Sequence, residues 1–96
     1  MSDVYLLHFD KPYWNNARHY VGYTTKTAEE RIAKHRDGTG SLLVNYAIQH
    51  GNDFKVAMVE HYDTKYEAVT REFELKNSHA LARTCPICQA NKVKGA

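Results

Sequence analysis

The sequence predicts a small α/β domain: a three-stranded antiparallel sheet flanked by helices, in the order β-β-α-α-β-α. Three observations carry this reading. Residues 4–9 (Val-Tyr-Leu-Leu-His-Phe) and 54–62 are β-branched, aromatic and apolar, with little helical periodicity. Thr27-x-x-Glu30 and Thr64-x-x-Glu67 are capping boxes, in which the hydroxyl satisfies one free amide at a helix start and the glutamate another. Gly38 and Gly51 stand where helices should stop. With 96 residues, 43% hydrophobic and 25% charged, the chain has the balance of one folded domain, not of a fibrous or disordered one.

Each element follows from its punctuation. The first strand, 4–9, is broken by Asp10-Lys11-Pro12, and Asn15-Asn16 favours a turn. Residues 18–24 return as the second strand of an antiparallel hairpin, where Gly22 marks a close backbone approach or a bulge. A helix opens at Thr27 and runs to about Arg36, before Gly38. Ser41 caps a second helix over 41–50. The third strand, 54–62, is apolar on both faces from Val56 to Val59, so it is expected to be well covered. The third helix starts at Thr64 and runs to Lys76 or Asn77. Residues 1–78 form the domain, and 79–96 a C-terminal extension expected to be irregular. Leu42, Val44, Ile48, Val56, Met58, Val69 and Phe73 are the core candidates, whereas His8, His50 and His61 are expected at the surface or a sheet edge.

Composition excludes several classes. No apolar run approaches the ~18–20 residues of a membrane span. The N-terminus lacks the basic and long apolar regions of a secretory signal, so a cytoplasmic protein is expected. The net charge of +2 is modest, but it permits a local basic face, and residues 77–96 carry Arg83, Lys92 and Lys94 with no acid. Cys85-Pro86-Ile87-Cys88 is half of a four-ligand Zn2+ site, for which His79 offers a third ligand. It reads equally as a plain thiol pair or a redox pair, although its place near the C-terminus lacks the βαβ context of a thioredoxin-like motif.

The candidate chemistry is a set of polar side chains. Tyr5 and Tyr20 face one another across the predicted hairpin. Arg31 and His35 are four apart and share one face of the first helix, as do Glu72 and Lys76 on the third. One carboxylate can hold a hard divalent ion that keeps most of its waters. An arginine clamps a phosphate with paired donors, and a tyrosine or histidine moves a proton. Together they suit metal-assisted phosphodiester hydrolysis.

Val4-Tyr5-Leu6, then Tyr20-Val21-Gly22, Arg31-x-x-x-His35 and Glu72, in that order over residues 4–76, resemble the GIY-YIG nuclease superfamily. The first triplet departs, with Val4 for Gly and Leu6 for the final Tyr; the second differs only by Val for Ile. Small stand-alone bacterial and phage members combine an HYIG-W/Y-T strand, a G-x-G loop, an E-x-x-x-K helix and a C-terminal C-P-x-C. His19 to Thr24, Gly38-Thr39-Gly40, Glu72 to Lys76 and Cys85 to Cys88 are similar to all four. The resemblance implies a DNA endonuclease that leaves 5′-phosphate and 3′-hydroxyl ends. Tyr20 would be the general base, although a free tyrosine titrates near ~10 and needs cationic neighbours to work at neutral pH. Tyr5 would position the site and touch the attacking water, and Arg31 would stabilise charge growing on the phosphate. His35 would bind phosphate or protonate the leaving oxygen. Glu72 would be the protein ligand to Mg2+ or Mn2+. Gly22, His19, Lys26 and Lys76 are the substrate-binding candidates. Some relatives carry a lysine where this chain has Tyr23, and Lys26 or Lys76 would have to supply its charge.

Plainer readings stand beside these. Glu72 and Lys76 also make an ordinary helical ion pair, worth about 0.3–0.5 kcal/mol. Glu74 is the rival carboxylate, on another face of the same helix. Gly38 and Gly40 read as turn and cap residues, Asp-Gly-Thr-Gly being too short for a phosphate loop. Tyr13 and Trp14 on the hairpin loop either stack on unpaired bases or close over the core. The alternative function is a nucleic-acid-binding module on the same fold without catalysis. No separate DNA-reading segment is visible, so specificity would come from DNA shape or a protein partner.

Overall fold

A computed structural model describes residues 1–12, 18–77 and 81–94. The strands are β1 (Ser2–Phe9), β2 (His19–Thr24) and β3 (Phe54–Tyr62); the helices are α1 (Ala28–Asp37), α2 (Leu42–Gln49), α3 (Lys65–Asn77), α4 (Leu81–Thr84) and α5 (Pro86–Lys94). The sheet order is β2-β1-β3, with both pairings antiparallel. The expected α/β class and the β-β-α-α-β-α order are present, and two further helices follow. The predicted turn at Asn15-Asn16 and the aromatic pair Tyr13 and Trp14 lie outside the described residues. Among the described residues, no helix is long and apolar enough to cross a membrane.

Every residue of β1 is buried, so its alternation feeds two cores. Tyr5, Leu7 and Phe9 pack with Ala28 of α1, Val44 and Ala47 of α2, and Phe54. Val4 and Leu6 pack on the other face with Val21, Ala68 and Leu75 of α3, and Cys85. Apolar burial of this kind stabilises by roughly 25 cal/mol per Å².

The hydroxyl half of each capping box acts as read, but among the described residues neither glutamate accepts a backbone amide. Thr27 accepts the Glu30 N–H at 3.2 Å, and Gly38 takes a left-handed φ of 86° behind α1. Ser41 accepts the Leu43 N–H at 3.2 Å. Thr64 accepts the Glu67 N–H at 3.2 Å and donates its hydroxyl to the Glu67 carboxylate at 3.0 Å. Asp3 supplies a tertiary cap: its carboxylate accepts the Ala28 N–H at 2.7 Å and pairs with the His61 Nδ1 at 2.7 Å, joining β1, α1 and β3.

Several expectations fail for identifiable reasons. Residues 80–96 are not irregular over their described part. Pro86 suits the first position of α5, and Leu81, Ile87 and Cys88 pack on the β1–α3 core. β3 is not well covered: it is an edge strand, and Val56 and Val59 remain exposed. A register shift opposite Leu6 and Leu7 also breaks its pleat. Of the core candidates Val44 is buried, and Ile48 and Met58 are partly so. Leu42 is 87% and Phe73 67% exposed, and Val69 is also exposed. A helix against a sheet buries one stripe. On α3 that stripe runs through Ala68 and Leu75, so Val69 and Phe73 fall outside it. His50 and His61 are exposed as expected, but His8 is buried.

Burial opposes the charge on Asp3, yet the hydrogen bonds from Ala28 and His61 outweigh it and hold the carboxyl below its usual range. Its stabilising contribution is therefore complete above the unfolded value of about 3.9 and is lost as pH falls through the lower folded value. Asp3→Asn is expected to cost about 1–3 kcal/mol at neutral pH in urea unfolding. The gap from wild type should narrow as the pH drops below that of an ordinary carboxyl.

Candidate active site

The alternation of β1 aims Tyr5 at α1, and that of β2 sends Tyr20 and Gly22 to the same side. Gly22 lies opposite Tyr5 in the ladder. A methyl group at position 22 would overlap the Tyr5 hydroxyl and ring, so the glycine is what lets the phenol lie across β2. The Tyr5 and Tyr20 rings stack with centroids 6.4 Å apart, and the His35 ring meets them at 5.7 and 5.5 Å.

His35 is held from both sides. The Ser41 N–H donates to Nδ1 at 3.1 Å, which leaves the ring proton on Nε2, 2.8 Å from the Tyr5 hydroxyl oxygen. Gly40 makes this possible, because a side chain there would collide with His35 Nδ1. The loop glycine read as a turn residue thus clears space for a buried imidazole. Tyr5 and His35 are each 1% exposed. Burial, and then the Arg31 charge, push His35 down to about 4, so the ring is neutral at physiological pH. Burial raises Tyr5 to about 12, helped by Tyr20 and Glu72 and opposed by a hydrogen bond from Arg31. Burial outweighs the Arg31 contribution, so the phenol keeps its proton while its oxygen accepts from His35 Nε2.

Arg31 stands one turn before His35 on α1 and is partly exposed. Glu72 comes from α3. Arg71 fixes the roll of that helix by gripping Glu60 of β3 through two N–H donors at 2.9 and 3.3 Å. Glu72 is 17% exposed, lies close enough to Tyr5 to act on its hydroxyl, and pairs with Lys76 at 3.4 Å. Glu74 is 60% exposed and lies 4.0 Å from Arg71, so the rival carboxylate points elsewhere. Tyr5, Tyr20, Arg31, His35 and Glu72 thus converge as two tiers: a buried Tyr5–His35 pair, and Tyr20, Arg31 and Glu72 with access to solvent.

Beside Arg31 runs an open groove of about 460 Å³ lined by Tyr23, Thr24, Thr25, Lys26, Glu30, Arg31, Lys34 and Lys65. Four cations against one acid make it a place for phosphates. Of the two lysine candidates, Lys26 lines this groove, while Lys76 is engaged by Glu72. His19 departs from expectation. It turns to the opposite face of the sheet and meets His8, Cys85 and Cys88 in a cluster with the makings of a metal site. His79, the anticipated third ligand, lies outside the described residues.

The family model of the GIY-YIG catalytic domain matches residues 3–83. The chain belongs to the GIY-YIG family. No curated protein and no solved structure matches it at a significant level. Membership gives the chain a nuclease fold and, with it, a nucleic-acid substrate. The structure also decides the register of the first motif. Tyr5 shares its face with Tyr20, while Leu6 turns into the other core, so the triplet ending in tyrosine is Asp3-Val4-Tyr5. Its departures from Gly-Ile-Tyr are Asp3 for Gly and Val4 for Ile, and Asp3 caps α1.

The state of His35 can be read directly. In an NMR titration its ring is expected to stay neutral down to about pH 4. The unfolded chain takes up that proton near pH 6.5, so stability is expected to fall as pH drops between the two values. A midpoint near 6.5 in the folded protein would contradict the buried pair.

Proposed function

We propose that this GIY-YIG chain is a metal-dependent endonuclease that hydrolyses DNA phosphodiesters by attack of water, leaving 5′-phosphate and 3′-hydroxyl ends. The observation that carries the reading is the packed trio of Tyr5, Tyr20 and His35, closed by the 2.8 Å Tyr5–His35 hydrogen bond, beside the basic groove that Arg31 lines.

Glu72 suits a hard divalent ion. It is a partly buried carboxylate, 17% exposed, whose charge acts on the Tyr5 hydroxyl. Such an oxygen donor matches Mg2+ or Mn2+ keeping most of its waters. When bound there, the ion supplies charge stabilisation and lowers the pKa of water. Tyr20, half-buried, is the general base: having passed its own proton to solvent, it takes that of the attacking water, and solvent protonates the departing 3′ oxygen. The Arg31 guanidinium meets the charge that develops on the phosphate oxygens. Tyr5 positions Arg31 through its hydroxyl oxygen. His35 has both ring nitrogens engaged and is shut off from solvent, so its part is to hold Tyr5, not to touch phosphate or protonate the leaving oxygen. Lys26, Lys34 and Lys65 lead the DNA backbone along the groove to Arg31.

The test is nicking of supercoiled plasmid and branched DNA with Mg2+ or Mn2+. Arg31→Ala and Glu72→Gln are expected to slow cleavage by about 10²–10³-fold while the circular dichroism spectrum is unchanged. Wild-type cleavage no faster than that of either variant would refute the assignment.

The second reading, a binding module without chemistry, is favoured by Tyr23 in the place of the family lysine and by the Lys76 pairing that occupies Glu72. It predicts DNA binding that needs no divalent ion. In either case binding should weaken with salt, and Lys34→Ala or Lys65→Ala should each lower the slope of log K against log salt by about 1. Fluorescence anisotropy with a labelled duplex measures both quantities.

A further inference from the structure

On the face of the sheet away from Tyr5, β1 and β2 present two histidines that are direct cross-strand partners, His8 and His19. The C-terminal helices bring two sulfurs to them. Cys85 precedes α5 and Cys88 lies in its first turn; the Cys85 N–H bonds the Leu81 carbonyl at 2.8 Å and the Gln89 N–H bonds the Cys85 carbonyl at 3.1 Å. This turn sets both thiols on one side. His8 Nδ1 lies 3.4 Å from His19 Nε2, 3.5 Å from Cys85 Sγ and 3.5 Å from Cys88 Sγ, and Cys88 Sγ lies 3.3 Å from His19 Nε2. All four atoms fall within 4.8 Å of one another.

We infer that His8, His19, Cys85 and Cys88 bind one structural zinc ion. Hydrogen bonding alone does not account for the cluster. A ring nitrogen carries either one proton or one lone pair, and His8 Nδ1 faces three such partners at once. A central cation satisfies all four atoms together. A tetrahedron with Zn–N near 2.0–2.1 Å and Zn–S near 2.3 Å has edges of about 3.3–3.4 Å between nitrogens and about 3.6 Å between nitrogen and sulfur. The four separations given above lie within a few tenths of an ångström of those edges, and the other two do not exceed 4.8 Å.

The chemistry selects the metal. Two sulfurs and two imidazoles in a tetrahedral arrangement suit Zn2+, and with all four positions taken by protein the site is closed, as structural sites are. Binding Zn2+ releases the two thiol protons, and the resulting complex of two thiolates and two neutral imidazoles carries no net charge. That neutrality suits its place beside Leu6, Val21, Leu75 and Ile87. A disulfide would use up both sulfurs and leave the converging imidazoles unexplained; both cysteines are free. The ion would join the loop end of the β1–β2 hairpin to α5 across 77 residues of sequence, which accounts for an ordered C-terminal segment.

The full chain, purified under reducing conditions without chelator, is expected to contain one zinc per molecule by mass spectrometry of the metal. After zinc removal, Co2+ should give intense visible d–d bands and a near-ultraviolet thiolate charge-transfer band, both abolished by Zn2+. An oxygen-only site such as that at Glu72 produces no thiolate band. Because His8 and Cys85 are core residues, the variants are Cys88→Ser and His19→Gln, each expected to lose stoichiometric zinc. Circular dichroism reports whether they fold, and if they do not, the wild-type cobalt spectrum decides. A wild-type protein with neither zinc nor a thiolate–cobalt band, or a folded Cys88→Ser that keeps its full zinc, overturns the inference. The metal readout uses no DNA, so its failure leaves the nuclease reading intact, and an inactive nuclease with stoichiometric zinc leaves the site intact.

Discussion

The burial of β1 along its whole length is the constraint on which the rest depends. A strand covered on both faces must send alternate side chains into two separate environments, and a slip of one residue would exchange them. Odd positions place Asp3 at the start of α1 and Tyr5 beneath Arg31. Even positions place Val4 and Leu6 under α3 and His8 against the cysteines. One eight-residue strand thereby organises the candidate catalytic cleft and the candidate zinc centre, back to back.

Within the cleft the buried polar pair is a structural commitment. A phenol and an imidazole withdrawn from water are costly unless their hydrogen bonds are made. His35 meets that cost through the Ser41 amide on one side and Tyr5 on the other. Both contacts demand that the neighbouring backbone come close, which only glycine permits at positions 22 and 40. The solvent-facing tier of Tyr20, Arg31 and Glu72 then rests on a layer with little freedom, which is the preorganisation that electrostatic stabilisation of a transition state requires.

Much of the fold was legible. The strand ends, the Thr27, Ser41 and Thr64 caps and the stop at Gly38 depend on a few neighbouring residues, and local chemistry decides them. The Tyr, Arg, His and Glu candidates were singled out through the family resemblance; periodicity could place Arg31 with His35 and Glu72 with Lys76, but the register sets Gly22, not Tyr20, opposite Tyr5. The roles of individual members were less legible. His35 reads as a phosphate or leaving-group contact until Gly40 and Ser41 fold over it. His19 looks like part of the tyrosine motif until β2 turns it to the other face. Val56, Val69 and Phe73 look like core until the edge position of β3 and the roll of α3 leave them in solvent.

What the sequence determined by itself was the kind and order of the elements from β1 to α3 and the side chains able to do chemistry, since these follow from interactions within a few residues. Tertiary structure alone decided which of those side chains meet. The partners of Cys85 and Cys88 lie far away in the chain, on β1 and β2, and the ordered path of α4 and α5 comes from that distant surface. The physical reason is that burial and convergence depend on the packing of separate elements, and no local pattern encodes the face that a neighbour will cover.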